Sequence, residues 1–286
     1  MMDGTEPTNK INLVHNKTSA VIDGLAKLRD VKAILCFGSH AMGTADKYSD
    51  FDLFVLCDPE IVALSERRSV LKNIEGFIEF QPKNALLGWN TQWCPQGESL
   101  RINNDRLEIV YNTTDWIEMV VRHVTKEGTI SIPEQEFRPY TMLGLLENSI
   151  VLYDPKSFLS HLIANLYPYP PRLKETLISE NLPILRDSLT ELSDGINREF
   201  GSTFFHFFLG KLCDALYTVL FAFNEKYDPA TKRAEEEYRQ LRVLPPNFVE
   251  RYTRLLEGPF DKNGKRWILR ELKILVTEIE ELVGAT

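Results

Sequence analysis

Two aspartates separated by one phenylalanine, Asp50-Phe51-Asp52, open the apolar run Leu53-Phe54-Val55-Leu56, and a Gly38-Ser39 step closes an earlier run, Val31-Lys32-Ala33-Ile34-Leu35-Cys36-Phe37. Both runs read as buried strands. With a side-chain period of two, Asp50 and Asp52 point the same way while Phe51 turns into the core. Paired hard oxygen donors suit magnesium, which takes one or two protein carboxylates and fills its octahedron with water and substrate phosphate oxygens. The pair is therefore a candidate seat for a divalent metal carrying a triphosphate.

The Gly-Ser step fits the same chemistry. A glycine after a strand lets the backbone turn sharply and approach a ligand closely. Backbone N–H groups and the Ser39 hydroxyl would then hold the outer phosphates, and His40-Ala41-Met42-Gly43 would follow as a short helix whose N-terminus favours the same anion. In this order Gly38, Ser39, Gly43, Ser49, Asp50 and Asp52 resemble the DNA polymerase beta-like nucleotidyltransferase superfamily, whose pattern is a Gly-Ser turn, a short helix and Asp-x-Asp on the next strand. The resemblance implies that Gly38, Ser39 and Ser49 line a nucleotide and that Asp50 and Asp52 hold metal. Either half of the motif alone says little; the ordered combination is what is specific.

That superfamily also requires a third carboxylate on a later strand. Arg106-Leu107-Glu108-Ile109-Val110-Tyr111 supplies one, because Glu108 falls on the face opposite Leu107, Ile109 and Tyr111. Enclosing a carboxylate there is costly without a metal or a donor to pair with it. The resemblance leaves Glu108 open between metal ligand and general base. Asp105 and Glu79, the latter in Phe77-Ile78-Glu79-Phe80, compete for the role.

Composition narrows the class. The chain of 286 residues is 43% hydrophobic and carries a formal charge of -8, with a pI near 5.3, so it is long enough for two cored domains and disfavours a long nucleic-acid partner. An acidic surface instead attracts a cationic small molecule. No uninterrupted apolar run reaches membrane-spanning length and the first residues lack signal-peptide character, so a cytoplasmic location is expected. Cys36, Cys57, Cys94 and Cys213 are dispersed, which suggests neither a zinc site nor a disulfide framework. The histidines His15, His123 and His161 carry no special context; His40 follows the Gly-Ser turn, and His206 lies in an apolar helix and reads as a core residue.

The elements that must position these groups form an α+β architecture: an N-terminal nucleotidyltransferase domain, a mixed sheet flanked by helices, over residues 1–168, then an all-helical bundle over 169–286. Apolar residues at helical spacing from Asn9 to Asp30 predict a leading amphipathic helix. After the two strands come a polar helix near 60–73 and a strand at 77–80. The segment from Asn84 to Gly97 reads as a loop whose Trp89 and Trp93 fold onto the core or form a substrate wall. The Glu108 strand leads into a helix opened by Thr114-Asp115, a second helix over Tyr140 to Asn148 and a short strand at 150–153. The boundary falls at Tyr167-Pro168-Tyr169-Pro170-Pro171, and helices are expected near 172–193, 197–224, 229–242, 246–257 and 262–283.

The run Asn224-Glu225-Lys226-Tyr227-Asp228-Pro229-Ala230-Thr231-Lys232 looks like the helical domain of bacterial aminoglycoside and lincosamide nucleotidyltransferases. In that group a lysine after the tyrosine-containing turn faces the nucleotide phosphates, which implies that role for Lys232. Asp214, on an otherwise apolar helix, calls for a buried partner. Together these readings predict a Mg2+-dependent enzyme that moves a nucleoside monophosphate, AMP from ATP or another nucleoside triphosphate, onto a hydroxyl of a small-molecule acceptor and releases pyrophosphate. Aminoglycosides and lincosamides are the acceptors the resemblance suggests. A catalytically silent nucleotide sensor and a protein adenylyltransferase are the alternatives on the same fold.

Overall fold

The computed structural model describes residues 6–83, 93–131, 138–228 and 234–284. The chain divides into two compact units, Met1–Pro168 and Tyr169–Thr286. In the first unit the elements run α1 (Glu6–Leu25), β1 (Val31–Phe37), α2 (Gly38–Met42), β2 (Phe51–Cys57), α3 (Leu64–Lys72), β3 (Phe77–Lys83), β4 (Gln96–Ile102), β5 (Asp105–Thr113), α4 (Thr114–Arg122), α5 (Pro139–Glu147), β6 (Ile150–Tyr153) and α6 (Phe158–Ala164). A single π-helical turn, His123–Glu127, extends α4. The six strands form one mixed sheet in the order β3-β4-β5-β2-β1-β6, as the α+β reading expects.

Burial explains the strand patterns. β1 and β2 lie in the middle of the sheet, so both of their faces are covered and their sequences are almost continuously apolar. One face packs Phe51, Leu53, Val55, Leu107, Ile109 and Tyr111 with residues of α1 and α3 such as Val14, Leu25 and Leu71. The alternate residues Phe54, Leu56 and Val110 are also fully enclosed, as are Ile117 and Val120 of α4, which packs on β5 and α5. Thr113 caps α4, its hydroxyl accepting a bond from the Trp116 N–H at 3.3 Å.

β4 is the element that the sequence reading lacks. Gly97, Glu98 and Ser99 give that stretch little apolar alternation, yet it pairs antiparallel with β3 on one side and β5 on the other. Its Glu98 is fully buried and meets the equally buried Arg67 of α3 at 3.2 Å. The Arg67 guanidinium also donates to the Val62 carbonyl and the Gln96 side chain, each at 2.7 Å, and lies over the Tyr111 ring. Burial pushes the Glu98 carboxyl above the usual range, and the Arg67 charge opposes that shift.

The second unit is helical: α7 (Pro171–Asn197), α8 (Ser202–Phe223), α9 (Ala234–Tyr238), α10 (Phe248–Glu257) and α11 (Lys262–Gly284). α8 is long and apolar enough to cross a membrane by composition, but 56% of its apolar window is buried. Phe205, Leu209, Leu212, Leu216 and Leu220 form its core stripe. His206 sits one position round from that stripe and is exposed, which corrects its assignment to the core. Asp214 is half-buried on this helix. The buried carboxylates of this unit are Asp228 and Glu237, and Glu237 accepts a hydrogen bond from the Tyr217 hydroxyl.

Candidate metal and nucleotide site

Pairing between strands brings the acidic residues together. β2 and β5 run parallel with Asp52 directly opposite Glu108, so both side chains leave the same face of the sheet. Asp50 lies two residues before Asp52, just ahead of the strand, and therefore joins that face. One carboxylate oxygen from each of Asp50, Asp52 and Glu108 lies within 4.8 Å of the other two, and all three residues are half-buried. Oxygens that share one magnesium ion lie roughly 3–4 Å apart for ligand bonds of about 2.1 Å. Small side-chain rotations bring the three into that range, so the donor set fits one or two hard divalent cations.

The competing carboxylates stand elsewhere. Asp105 is bound to Lys17 at 2.9 Å. Glu79 lies on β3 at the edge of the sheet, paired with Arg101 of β4.

Gly38 has a specific reason to be glycine. Its φ is +70°, and a Cβ at this position would lie 2.2 Å from Asp52 Oδ2. The backbone thus makes room for the carboxylate that faces it across the β1–β2 pair, where Phe37 opposes Asp52. Ser39 follows in the first turn of α2; its carbonyl accepts from the N–H groups of Gly43 and Thr44. Gly43 closes this short helix in the left-handed conformation, φ +79°.

The loop into Asp50 is self-contained. The Ser49 hydroxyl accepts from the Asp46 N–H at 2.9 Å and bonds the Asp46 carboxylate at 3.2 Å, so it shapes the turn that delivers Asp50. His40 stacks on Phe51 with ring centroids 3.9 Å apart. Burial lowers its pKa, while the Ser49 backbone and the charges of Asp50 and Asp105 pull it upward. The imidazole therefore bridges the Gly-Ser turn and the Asp-x-Asp segment. Beneath them, burial, aided by the Asp52 charge, pushes the Cys36 thiol up to about 12.

Residues 20–93 match the family model described as "Polymerase beta, Nucleotidyltransferase". The chain carries a polymerase beta-type nucleotidyltransferase domain. The matched stretch holds the Gly-Ser turn and both aspartates of this nucleotidyltransferase; Glu108 lies beyond it and is joined to them by the β2–β5 pairing. No curated protein matches the sequence. Among solved structures, a nucleotidyltransferase-like protein from Exiguobacterium sibiricum is similar at 11% identity and a TM-score of 0.45, over 95% of this chain and 77% of that one.

Two side chains near the nucleotidyltransferase site were not found from sequence. Ser99, on β4, donates to Glu108 Oε1 at 3.2 Å, and the Phe51 ring carries the His40 stack. The only sequence signal for Ser99 is a short turn, Asn103-Asn104, ahead of Asp105, which marks a hairpin. Lys232 and Trp89 lie outside the described residues. Trp93 is half-buried, and its carbonyl accepts from the Asn112 side chain at 3.0 Å. A separate groove of about 990 Å³, lined by Arg29, Lys32, Asp58, Arg122 and Lys126 among others, lies at the opposite end of β1 and β2 from Asp52.

Proposed function

We propose that this nucleotidyltransferase is Mg2+-dependent and moves AMP from ATP onto a hydroxyl of a small-molecule acceptor. The observation that carries the reading is the convergence of Asp50, Asp52 and Glu108 on one face, beside the Gly-Ser turn of the matched domain. Asp50, Asp52 and Glu108 would hold the metal. When bound, magnesium neutralises charge on the phosphates and lowers the pKa of a coordinated hydroxyl. The acceptor oxygen bonds to the α-phosphorus as the bond from that phosphorus to the pyrophosphate oxygen breaks; the pyrophosphate leaves with the bonding electrons and the hydroxyl proton passes to solvent.

The chain's own groups orient this exchange. Asp52 is packed against the Gly38 backbone, which sets where its carboxylate sits. The Ser39 hydroxyl, one residue after Gly38, would hold an outer phosphate. Lys232 is proposed as a further phosphate contact on the strength of the family resemblance. A net charge of -8 supports a small, cationic acceptor over a long nucleic acid, and aminoglycosides and lincosamides are the first to screen. Four free cysteines support a cytoplasmic setting.

The test is calorimetric titration of a non-hydrolysable ATP analogue, with and without Mg2+, into the wild type and the Asp50→Asn, Asp52→Asn double variant. Metal-dependent binding that the folded double variant loses is the expected result. Absence of binding to any common nucleoside triphosphate by the folded wild type would refute the proposal.

A further inference from the structure

We infer that Ser99 is a positioning residue for Glu108, and that β4 is the template that sets it; the inference rests on the reading of Glu108 as a metal ligand. Glu108 has two neighbours directly across the ladder, Asp52 on β2 and Ser99 on β4. All three side chains therefore stand in one row on one face of the sheet. From this row the Ser99 hydroxyl donates to Glu108 Oε1 at 3.2 Å.

The hydrogen bond answers a particular need. Glutamate carries one more rotatable bond than aspartate, so its carboxylate has further to wander before it meets the other two ligands. Asp52 is held by its packing on Gly38; Glu108 receives its hydrogen bond from the neighbouring strand. Serine is also not a residue that strand formation asks for, since β-branched and aromatic side chains fit a pleated, half-buried surface better. Its hydroxyl, rather than its fit to a strand, accounts for its presence at this point of the ladder. Partners of this kind fix the orientation of a ligating carboxylate.

Ser99 is itself held in place by its neighbour. Glu98 points through the opposite face to the buried Arg67 at 3.2 Å, with Arg67 tied in turn to Val62 and Gln96. Sliding β4 by one residue would exchange the two faces. It would turn the Glu98 carboxylate toward the metal side and set Ser99 against the guanidinium. The enclosed ion pair thus specifies the register that presents a hydroxyl, and not a fourth carboxylate, to Glu108.

The experiment titrates Mn2+ into the full chain in the presence of a non-hydrolysable ATP analogue, read by calorimetry, with thermal melting alongside. Ser99→Ala is expected to weaken Mn2+ by about 10–100-fold, the range for a lost partner of a ligand, with the melting temperature little changed. Ser99→Thr and Ser99→Val have nearly the same shape and differ in the hydroxyl, so their comparison holds even if Ser99→Ala folds poorly. Threonine should keep near wild-type affinity and valine should lose it. Equal Mn2+ affinity in wild type, Ser99→Ala and Ser99→Val would overturn the inference and leave the metal site standing. A folded wild type that does not bind Mn2+ would overturn the site itself, and this inference with it.

Discussion

Replacing Gly38 by alanine tests the geometry of the site at its tightest point. The added Cβ would stand 2.2 Å from Asp52 Oδ2 and 3.2 Å from its Cγ. The nearest contact that side chains tolerate is a little over 3 Å, so the carboxylate must retreat by roughly 1 Å, a displacement that can cost about 100-fold in rate. In addition, an L-residue held at the Gly38 φ of +70° costs about 1–2 kcal/mol. For a chain of this size that lowers the melting temperature by roughly 2–8 °C. Gly38→Ala should therefore stay folded, melt a few degrees early and bind Mn2+ at least about 10-fold more weakly than wild type. The assay is Mn2+ calorimetry with an ATP analogue, paired with scanning calorimetry. Gly210→Ala is the matched control: a Cβ there meets nothing within 4 Å, and alanine inside α8 should add about 0.5–1 kcal/mol of stability without touching metal binding. A Gly38→Ala protein that binds Mn2+ as tightly as wild type would refute the packing argument.

Two further outcomes follow from the buried groups. Arg67→Met leaves Glu98 enclosed without its charge partner, which should cost about 3–5 kcal/mol in urea unfolding; a cost below about 1 kcal/mol would show the pair to be energetically idle. Because burial raises the folded-state pKa of Glu98, the folded protein takes up its proton first as pH falls. The Arg67→Met deficit should accordingly shrink on acidification from neutral pH toward the ordinary glutamate range and grow as pH rises through the folded value. The thiols make the other prediction. Burial pushes Cys36 and Cys94 up to about 12 and Cys213 up to about 11, and raises Cys57. At pH 8 about one in a thousand or fewer of the Cys36, Cys94 and Cys213 thiols would then be ionised. Ellman's reagent should leave the native protein almost unlabelled and count four thiols after denaturation, and rapid native labelling of Cys36 would contradict its enclosure.

Much of the site was legible because its signals are local. The Gly-Ser turn, the short helix and the Asp-x-Asp strand lie next to one another in the chain, and alternation alone puts Asp50 and Asp52 on one side. Glu108 could be named because a single carboxylate interrupts an apolar strand, but its choice over Asp105 and Glu79 is a matter of register, which only the β2–β5 pairing supplies. β4 escaped for a physical reason. Its inward residue is Glu98, made apolar in effect by Arg67 from a distant helix, so the hydrophobic pattern that marks a half-buried strand is missing. His206 lies where the Phe-rich helix is buried on one side only, by Phe205, Leu209 and Leu212, whereas residues 215–222 further along are buried all round. Ser49, read as a nucleotide contact, has its hydroxyl engaged with Asp46 three residues away, a local turn that competes with any longer-range use.

The parallel pairing of β2 with β5 also sets an order in time. β1 and β2 follow each other closely in the chain, whereas β5 pairs with β2 across a longer loop that contains β3 and β4 and costs more entropy to close. A nascent or partly refolded chain therefore possesses the Gly-Ser turn and two aspartates before it possesses a full ligand set. The metal seat proposed above is therefore complete only once this non-local pairing has brought Glu108 beside Asp52.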